Sequence, residues 1–317
     1  MTECVLSVAM PNYNHGRYLA EAVLGIATQS RPPDEFIVLD DASTDDSVEI
    51  LRPFLERFPF MRLIRLDRNQ GVLAAIERLS AEARGRYLFL PAADDVRMPG
   101  FFERAMALIE QYPRAGLVCG GVSLIDEAGR HLGYFGVQKW NEPLYADPRR
   151  FLEEYLMVEA PSHSLSAATI YRRDAFLELG ALRPELGSWS DSFVIRALGL
   201  KYGICYVPME AVRARMLPQS FSHQTMSEPK KMLDIIARAE RLMLSDEFRD
   251  IFPPAYARHW ARSYRYRTVR DFFLGPEPSS GPRPSFFVRN FRRLPRVLPA
   301  LRLWFYRGRL AAPGGRR

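Results

Sequence analysis

The chain has 317 residues, 47% hydrophobic and 26% charged, with three cysteines and a net charge of +7. That is enough apolar material for a buried core, and it excludes a disordered, collagenous or disulfide-stapled chain. Cys4, Cys119 and Cys205 lie far apart without metal-ligand spacing, no stretch reads as a secretory leader, and no run of 18 or more apolar residues reads as a membrane span. A reducing, cytoplasmic setting is therefore expected.

In chain order, residues 5–10 read as a strand and 18–28 as a helix. Residues 35–40 form a second strand. Ser43 is placed as the N-cap of a helix over 45–58, with Asp45, Asp46 and Glu49 in its first turns, where the helix dipole favours acids. A third strand (61–66), a helix (71–83), a fourth strand (86–90), a helix (99–112) and a fifth strand (116–119) follow. Residues 121–160 read as a loop-rich insertion with an amphipathic segment at 148–157. Beyond it come a strand at 166–171, a helix at 174–179 ending in Gly180, a helix at 190–200 and a late strand at 203–207. Two further helices are predicted at 231–244 and 255–273, then a Pro/Gly/Ser linker over 274–285, and no internal repeat is present. Strands alternating with helices at this spacing predict an α/β fold. Its mostly parallel sheet is flanked by helices on both faces, with a C-terminal helical extension.

Residues 281–317 hold ten arginines and no acid, so the rest of the chain is mildly acidic. The tail FFVRNFRRLPRVLPALRLWFYRGRL interleaves arginine with apolar residues. One reading is peripheral contact with an anionic membrane surface; the other is a segment packed on the body. Pro295 and Pro299 interrupt any long helix there, and nothing else in the chain suits nucleic acid.

In open α/β sheets ligands gather beyond the carboxyl ends of the strands. Pro11, Asn12 and Tyr13 follow the first strand, Asp40 and Asp41 end the second, and Asp94 and Asp95 follow the fourth. Carboxylates converging on one edge repel, and a divalent cation with a polar ligand relieves that cost. Asp40 alone reads as a turn former.

The stretches LSVAMPNYNHGRYLAEAVLGIATQSRPPDEFIVLDDASTDDS and RNQGVLAAIERLSAEARGRYLFLPAADDV resemble the nucleotide-sugar-binding half of glycosyltransferase family 2. These are inverting enzymes with the GT-A (Rossmann-like) fold. The resemblance implies residues 1–120 as the nucleotide-sugar half, 121–230 as the acceptor half, 231–274 as C-terminal helices and 275–317 as linker and basic tail. It implies that Pro11 and Tyr13 line a base pocket and that Asp41 accepts the N3–H of uracil or thymine, a proton cytosine lacks. Asn69 and Asp94 join the nucleotide-sugar contacts, and Asp95 binds Mg²⁺ or Mn²⁺ at the diphosphate. Asp191, in SWSDSF, falls where the family places its catalytic base, and a helix start at Ser190 is expected to lower its pKa. Trp189 admits two readings, a stacking platform for an acceptor sugar or a core residue, and His163 is the other candidate on the acceptor side.

This sequence departs from the family pattern at Ala92, where many members carry a third acid, and at Leu217, where RMLPQSFS replaces a histidine; His223 is the nearby substitute. Glu77 and Arg78 stand where many members have Asn or Arg. The expected function is metal-dependent transfer of a sugar from a UDP- or dTDP-sugar to a glycan or lipid-linked acceptor in bacterial surface polysaccharide synthesis. The alternatives are a non-catalytic nucleotide-sugar binder of the same fold and a nucleotidyltransferase. The latter normally carries a Gly-rich phosphate loop, which MPNYNHGRY does not supply.

Overall fold

The computed structural model describes residues 5–135, 140–158, 165–226 and 228–274. His163 and the tail over 275–317 lie outside the described residues.

The first part of the chain alternates strand and helix as its hydrophobic pattern dictates. It runs β1 (Leu6–Asn12), α1 (Gly16–Ala27), β2 (Glu35–Asp40), α2 (Ser47–Arg57), β3 (Met61–Arg65), α3 (Val72–Glu82) and β4 (Tyr87–Phe89). The strands lie parallel in the order β3-β2-β1-β4, with Val8 opposite Phe36 and Phe89. Helices cover both faces, so these strands are apolar on both. Val8, Met10, Phe36 and Val38 pack with Leu19, Val23 and Ile26 of α1. Ala9, Ile37 and Leu39 point the other way, onto Ala75 and Leu79 of α3.

The remaining elements are β5 (Val96–Arg97), α4 (Phe101–Gln111), β6 (Leu117–Ile125), β7 (His131–Phe135), β8 (Leu144–Ala146) and α5 (Pro148–Arg150), which runs into a π-helical turn at Phe151–Leu156. Then come β9 (Thr169–Arg172), α6 (Arg173–Glu178), α7 (Ser190–Tyr202), β10 (Ile204–Arg215), α8 (Phe221–Met226), α9 (Pro229–Met243) and α10 (Pro254–Leu274). The full sheet order is β3-β2-β1-β4-β9-β6-β10-β5. Its second half is mixed: β9 is antiparallel to β4 and β6, while β10 is parallel to β6 and antiparallel to β5.

Several elements differ from expectation. The fifth strand does not stop at residue 119 but runs through Gly120–Gly121 to Ile125, so a division at residue 120 falls inside β6. A Cβ at Gly120 would sit 2.6 Å from the Cβ of Ala211, so glycine is there for the close approach of β10. The late strand likewise continues past Pro208 to Arg215, with register shifts around Glu210 that accommodate the proline. Part of the insertion expected to be loop-rich is β7 and β8, which extend the sheet. Ser43 does not cap α2, which begins at Ser47.

α7 is buried on nearly every side, from Ser192 to Gly199, because the sheet lies beneath it and the C-terminal helices above. The extension is anchored by aromatic contacts. Phe193 packs on Phe248 and Phe252, and Trp189 on Trp260 and Tyr264.

Candidate functional site

The loops after β1 and β2 are laced together by short polar side chains. Asp40 accepts hydrogen bonds from Asn12 Nδ2 (2.9 Å) and from the Ser43 amide (3.1 Å), so it closes its own turn, as read from the sequence. Ala42 takes a left-handed φ of 60° in that turn. The Ser43 hydroxyl receives the Asn14 amide (3.0 Å), and Asn14 Oδ1 receives the Thr44 amide (2.8 Å). Asp45 accepts the Gly16 amide at the start of α1 (2.9 Å). Burial works against the charge of Asp45, but its hydrogen bonds from Ser47 and Gly16 prevail and hold the carboxyl below the usual range.

Asp41 is buried, and its two oxygens accept the Gln70 and Gly71 amides, each at 2.8 Å. Asn69 Oδ1 also receives the Gly71 amide (2.9 Å). Gly71, with φ of 86°, opens α3. Asp41 therefore staples the β3–α3 loop to the end of β2. Pro11 and Tyr13 sit at the end of neighbouring β1, Tyr13 exposed. The structure thus gathers Pro11, Tyr13, Asp41 and Asn69 on one edge of adjacent strands.

The Asp94–Asp95 turn follows β4 on the same edge, and both residues are buried. Among the described residues, no group donates a hydrogen bond to the Asp94 carboxylate. Its backbone carbonyl accepts Arg215 Nε (2.9 Å). Asp95 Oδ1 accepts the Arg215 amide (2.9 Å), and Oδ2 lies 3.5 Å from Arg97 Nη1. Burial pushes the Asp95 pKa up to about 6, with Arg97 opposing and Asp94 adding to the rise.

Two arginines missing from the sequence-based site emerge here. Arg215, at the end of β10, also bonds the carbonyls of Asp126 and Glu127 (3.1 Å each) and Glu21 Oε2 (2.8 Å), and stacks over Tyr18. Its signal was the first letter of RMLPQSFS. Arg97 is buried on β5, stacked over Phe89 and bonded to the Ala92 carbonyl (3.3 Å). Nothing in a lone arginine two residues after the acids marks it.

Whether this edge suits a divalent cation depends on its donors. Among the described residues, no three His, Cys, Asp or Glu side chains converge as a cage. Leu217, in the slot of the family histidine, is buried and offers no donor, and nothing is described of the His223 side chain. Mg²⁺ and Mn²⁺ at phosphates need only one or two carboxylates, with phosphate oxygens and water supplying the rest. A buried Asp94 carboxylate without donors among the described residues, beside Asp95, fits such an ion.

Asp191 opens α7, half-buried, and its carboxylate accepts the Ser192 amide. Burial raises its pKa, against the hydrogen bonds from Ser192 and Ser166 and the charge of Arg196. The expected lowering by the helix start is thus reversed, because desolvation outweighs the dipole. Asp191 in turn helps raise the pKa of Tyr171, after burial, and Tyr171 pairs with Leu88 of β4. Asp191 is therefore within electrostatic reach of Tyr171 on β9. Trp189 occupies the core alternative: buried, with its ring 4.3 Å from that of Trp260 and Arg196 over its face. It presents no platform to an acceptor.

Residues 7–180 match the family model described as Glycosyl transferase family 2. The chain is 35% identical over 202 residues to the uncharacterized glycosyltransferase YibD of Escherichia coli (strain K12), covering 62% of this chain and 58% of that protein. It spans about half the length of the curated relatives it matches. The S. aureus TarS 1–349 structure in complex with UDP-GlcNAc superposes with a TM-score of 0.63 at 15% identity, covering 84% of this chain and 73% of that one. The mannosyltransferase PcManGT from Pyrobaculum calidifontis, in complex with GDP-Man and Mn²⁺, gives a TM-score of 0.56 at 18% identity, covering 86% and 76%. At such identities the likeness carries the fold, which is GT-A. With more than half of its length under the family model, the chain belongs to glycosyl transferase family 2.

Proposed function

We propose that the protein is an inverting glycosyltransferase. It moves a sugar from a UDP- or dTDP-sugar to a hydroxyl of a glycan or lipid-linked acceptor in bacterial surface polysaccharide synthesis. The observation that carries this is the single sheet edge where Pro11, Tyr13, Asp41 and Asn69 meet the Asp94–Asp95 turn, with the Asp94 carboxylate buried and without a hydrogen-bond donor among the described residues. The bound nucleotide sugars of TarS and PcManGT support it by analogy of fold.

In this reading Pro11 and Tyr13 flank the base, and Asp41 accepts its N3–H. Asp94 and Asp95 would hold Mg²⁺ or Mn²⁺, which when bound offsets charge on the departing diphosphate. Asp191 takes the proton of the attacking hydroxyl, and burial makes it a stronger base than an ordinary aspartate. One direct displacement inverts the anomeric carbon. His163 belongs to the acceptor side. The arginine-rich tail provides peripheral contact with the inner face of the membrane, in keeping with a cytoplasmic protein. Among the described residues, no helix is long and apolar enough to cross a membrane. The second reading, a non-catalytic nucleotide-sugar binder, is favoured by Ala92 and by the buried Leu217.

A melting-temperature screen of UDP-, dTDP-, GDP- and CDP-sugars, with and without Mn²⁺, tests the donor assignment. A ligand at a hundred times its Kd stabilises the folded state by about 2.7 kcal/mol. UDP- or dTDP-sugars with Mn²⁺ should raise the melting temperature most. If no nucleotide sugar moves it, the proposal fails. Binding without hydrolysis or transfer leaves the non-catalytic reading.

A further inference from the structure

Arg97 sits beneath the acid turn. β5 places it antiparallel to β10, opposite Val212, and Gly25 of α1 lets the strand lie close: a Cβ there would meet the Arg97 carbonyl oxygen at 3.2 Å. The guanidinium is 1% exposed and rests on Phe89. Its charge faces Asp95 first and Asp94 second. Yet Nε and Nη1 have no hydrogen-bond partner among the described residues. Only Nη2 is bonded, to the Ala92 carbonyl. Nη1 has only the longer ion pair with Asp95 Oδ2, and a buried guanidinium so poorly bonded is costly for folding alone. Its placement needs another reason.

That reason is competition for a carboxylate oxygen. Asp95 Oδ1 is already taken by the Arg215 amide, and Oδ2 faces Arg97 at 3.5 Å. A divalent cation approaching Oδ2 meets a fixed positive charge in a low-dielectric setting, where like charges repel strongly. Asp94 offers the less opposed carboxylate, since the charge of Arg97 bears on Asp95 first and on Asp94 second. We infer that Arg97 is a built-in counter-cation: it blocks capture of a free divalent ion by Asp95 and makes metal binding wait for the oxygens of a nucleoside diphosphate. Arg97 is in this sense a positioning residue, and its role rests on the function proposed above. The consequence is ordered assembly. The protein without nucleotide holds Mn²⁺ weakly, through Asp94. The diphosphate brings negative charge and ligand oxygens together, and the cation follows.

Titrating Mn²⁺ into the full chain, with free Mn²⁺ followed by electron paramagnetic resonance, tests this with and without UDP. The native protein should bind Mn²⁺ at least about tenfold more tightly with UDP than without, a difference of about 1.4 kcal/mol. Arg97→Met, which keeps the stem but removes the charge, should raise Mn²⁺ affinity without UDP by about tenfold and shrink the UDP effect. Arg97→Lys, which keeps the charge, should stay near native. Asp94→Asn should abolish the weak nucleotide-free affinity. The inference is overturned if folded Arg97→Met gains no Mn²⁺ affinity. If that variant does not fold, Arg97→Gln takes its place, and a folded Arg97→Gln that gains no Mn²⁺ affinity overturns the inference. Absence of any UDP or Mn²⁺ binding by the native protein removes the nucleotide-sugar reading itself, a separate result from UDP and Mn²⁺ binding that ignores Arg97.

Discussion

Replacing Arg215 by methionine perturbs the site while leaving every acid in place. The side chain is 3% exposed and ties five groups together: the Asp94, Asp126 and Glu127 carbonyls, the Glu21 carboxylate and the Tyr18 ring. Methionine keeps most of the stem volume, so the loss is of donors and charge. The bond to the Asp94 carbonyl lies in a buried turn where water cannot replace it, and such a charge-assisted bond contributes about 1.5–3 kcal/mol. The bonds to Asp126 and Glu127 reach a more open turn and add roughly 1 kcal/mol together after water takes over part of the loss. The Glu21 pair is heavily screened, because Glu21 is 56% exposed, and contributes less than about 1 kcal/mol. With the Tyr18 stack at roughly 0.5–1 kcal/mol, Arg215→Met should cost about 4 kcal/mol. That agrees with the usual cost of about 3–5 kcal/mol for removing one partner of a buried charged network. Urea unfolding followed by circular dichroism measures it, with Glu21→Gln as the control expected to change stability by less than about 1 kcal/mol. A cost for Arg215→Met within about 1 kcal/mol of zero, or a Glu21→Gln cost equal to it, would refute the assignment of Arg215 as the tie that shapes the acid turn.

Two further outcomes follow from single carboxylates. Asp41→Asn leaves only one acceptor oxygen for the Gln70 and Gly71 amides and turns an amide donor toward the other. It should lower stability by about 2 kcal/mol, seen in the melting temperature. It should also erase the preference for UDP over CDP in calorimetric titration; a preserved ratio would clear Asp41 of base reading. Asp191→Asn should abolish transfer by a hundredfold or more while leaving the melting temperature at pH 7.5 equal or higher. The sign follows from burial: the folded pKa is raised, so ionisation costs stability above that pKa and costs nothing below the ordinary aspartate range. The gain over native should therefore shrink as pH falls through the folded pKa of Asp191, and a native protein that is the more stable at every pH would contradict it.

How far the sequence could be read depended on the range of each interaction. The strands β1, β2 and β4 are short apolar runs bounded by polar turns, and their residues alone announce them. Asp41, Asp94 and Asp95 were legible because each ends such a run. Arg215 was not, since its bonds to Asp94 and Glu21 span 121 and 194 residues and exist only once β10 lies beside β5. The fifth strand was ended at residue 119 because the letter of Gly120 does not tell that the glycine admits a neighbouring strand. Ser43 had the composition of a cap, but its hydroxyl bonds across to Asn14. The pKa of Asp191 required knowing that folding buries it beside Ser166 and Tyr171, which its own segment does not announce.

The pairing of charges at the strand ends bears on the proposed cation. Asp95 is opposed by Arg97, and Arg215 spends its charge on Glu21 and on three carbonyls. Asp94 is the acid left over, with no donor to its carboxylate among the described residues. A buried carboxylate in that state is costly, and a neutral side chain would serve the fold better there. Its presence beside Asp95, which holds the Arg215 amide and faces Arg97, is in keeping with the proposed cation arriving with a diphosphate: one acid open to the ion, and a second paired with an arginine. On that basis the vacancy at Ala92 is not a lost ligand. Under the inferred role of Arg97, a third acid beside Asp94 would strengthen capture of the free ion and so work against it, and the Ala92 carbonyl is the acceptor that bonds Arg97 Nη2.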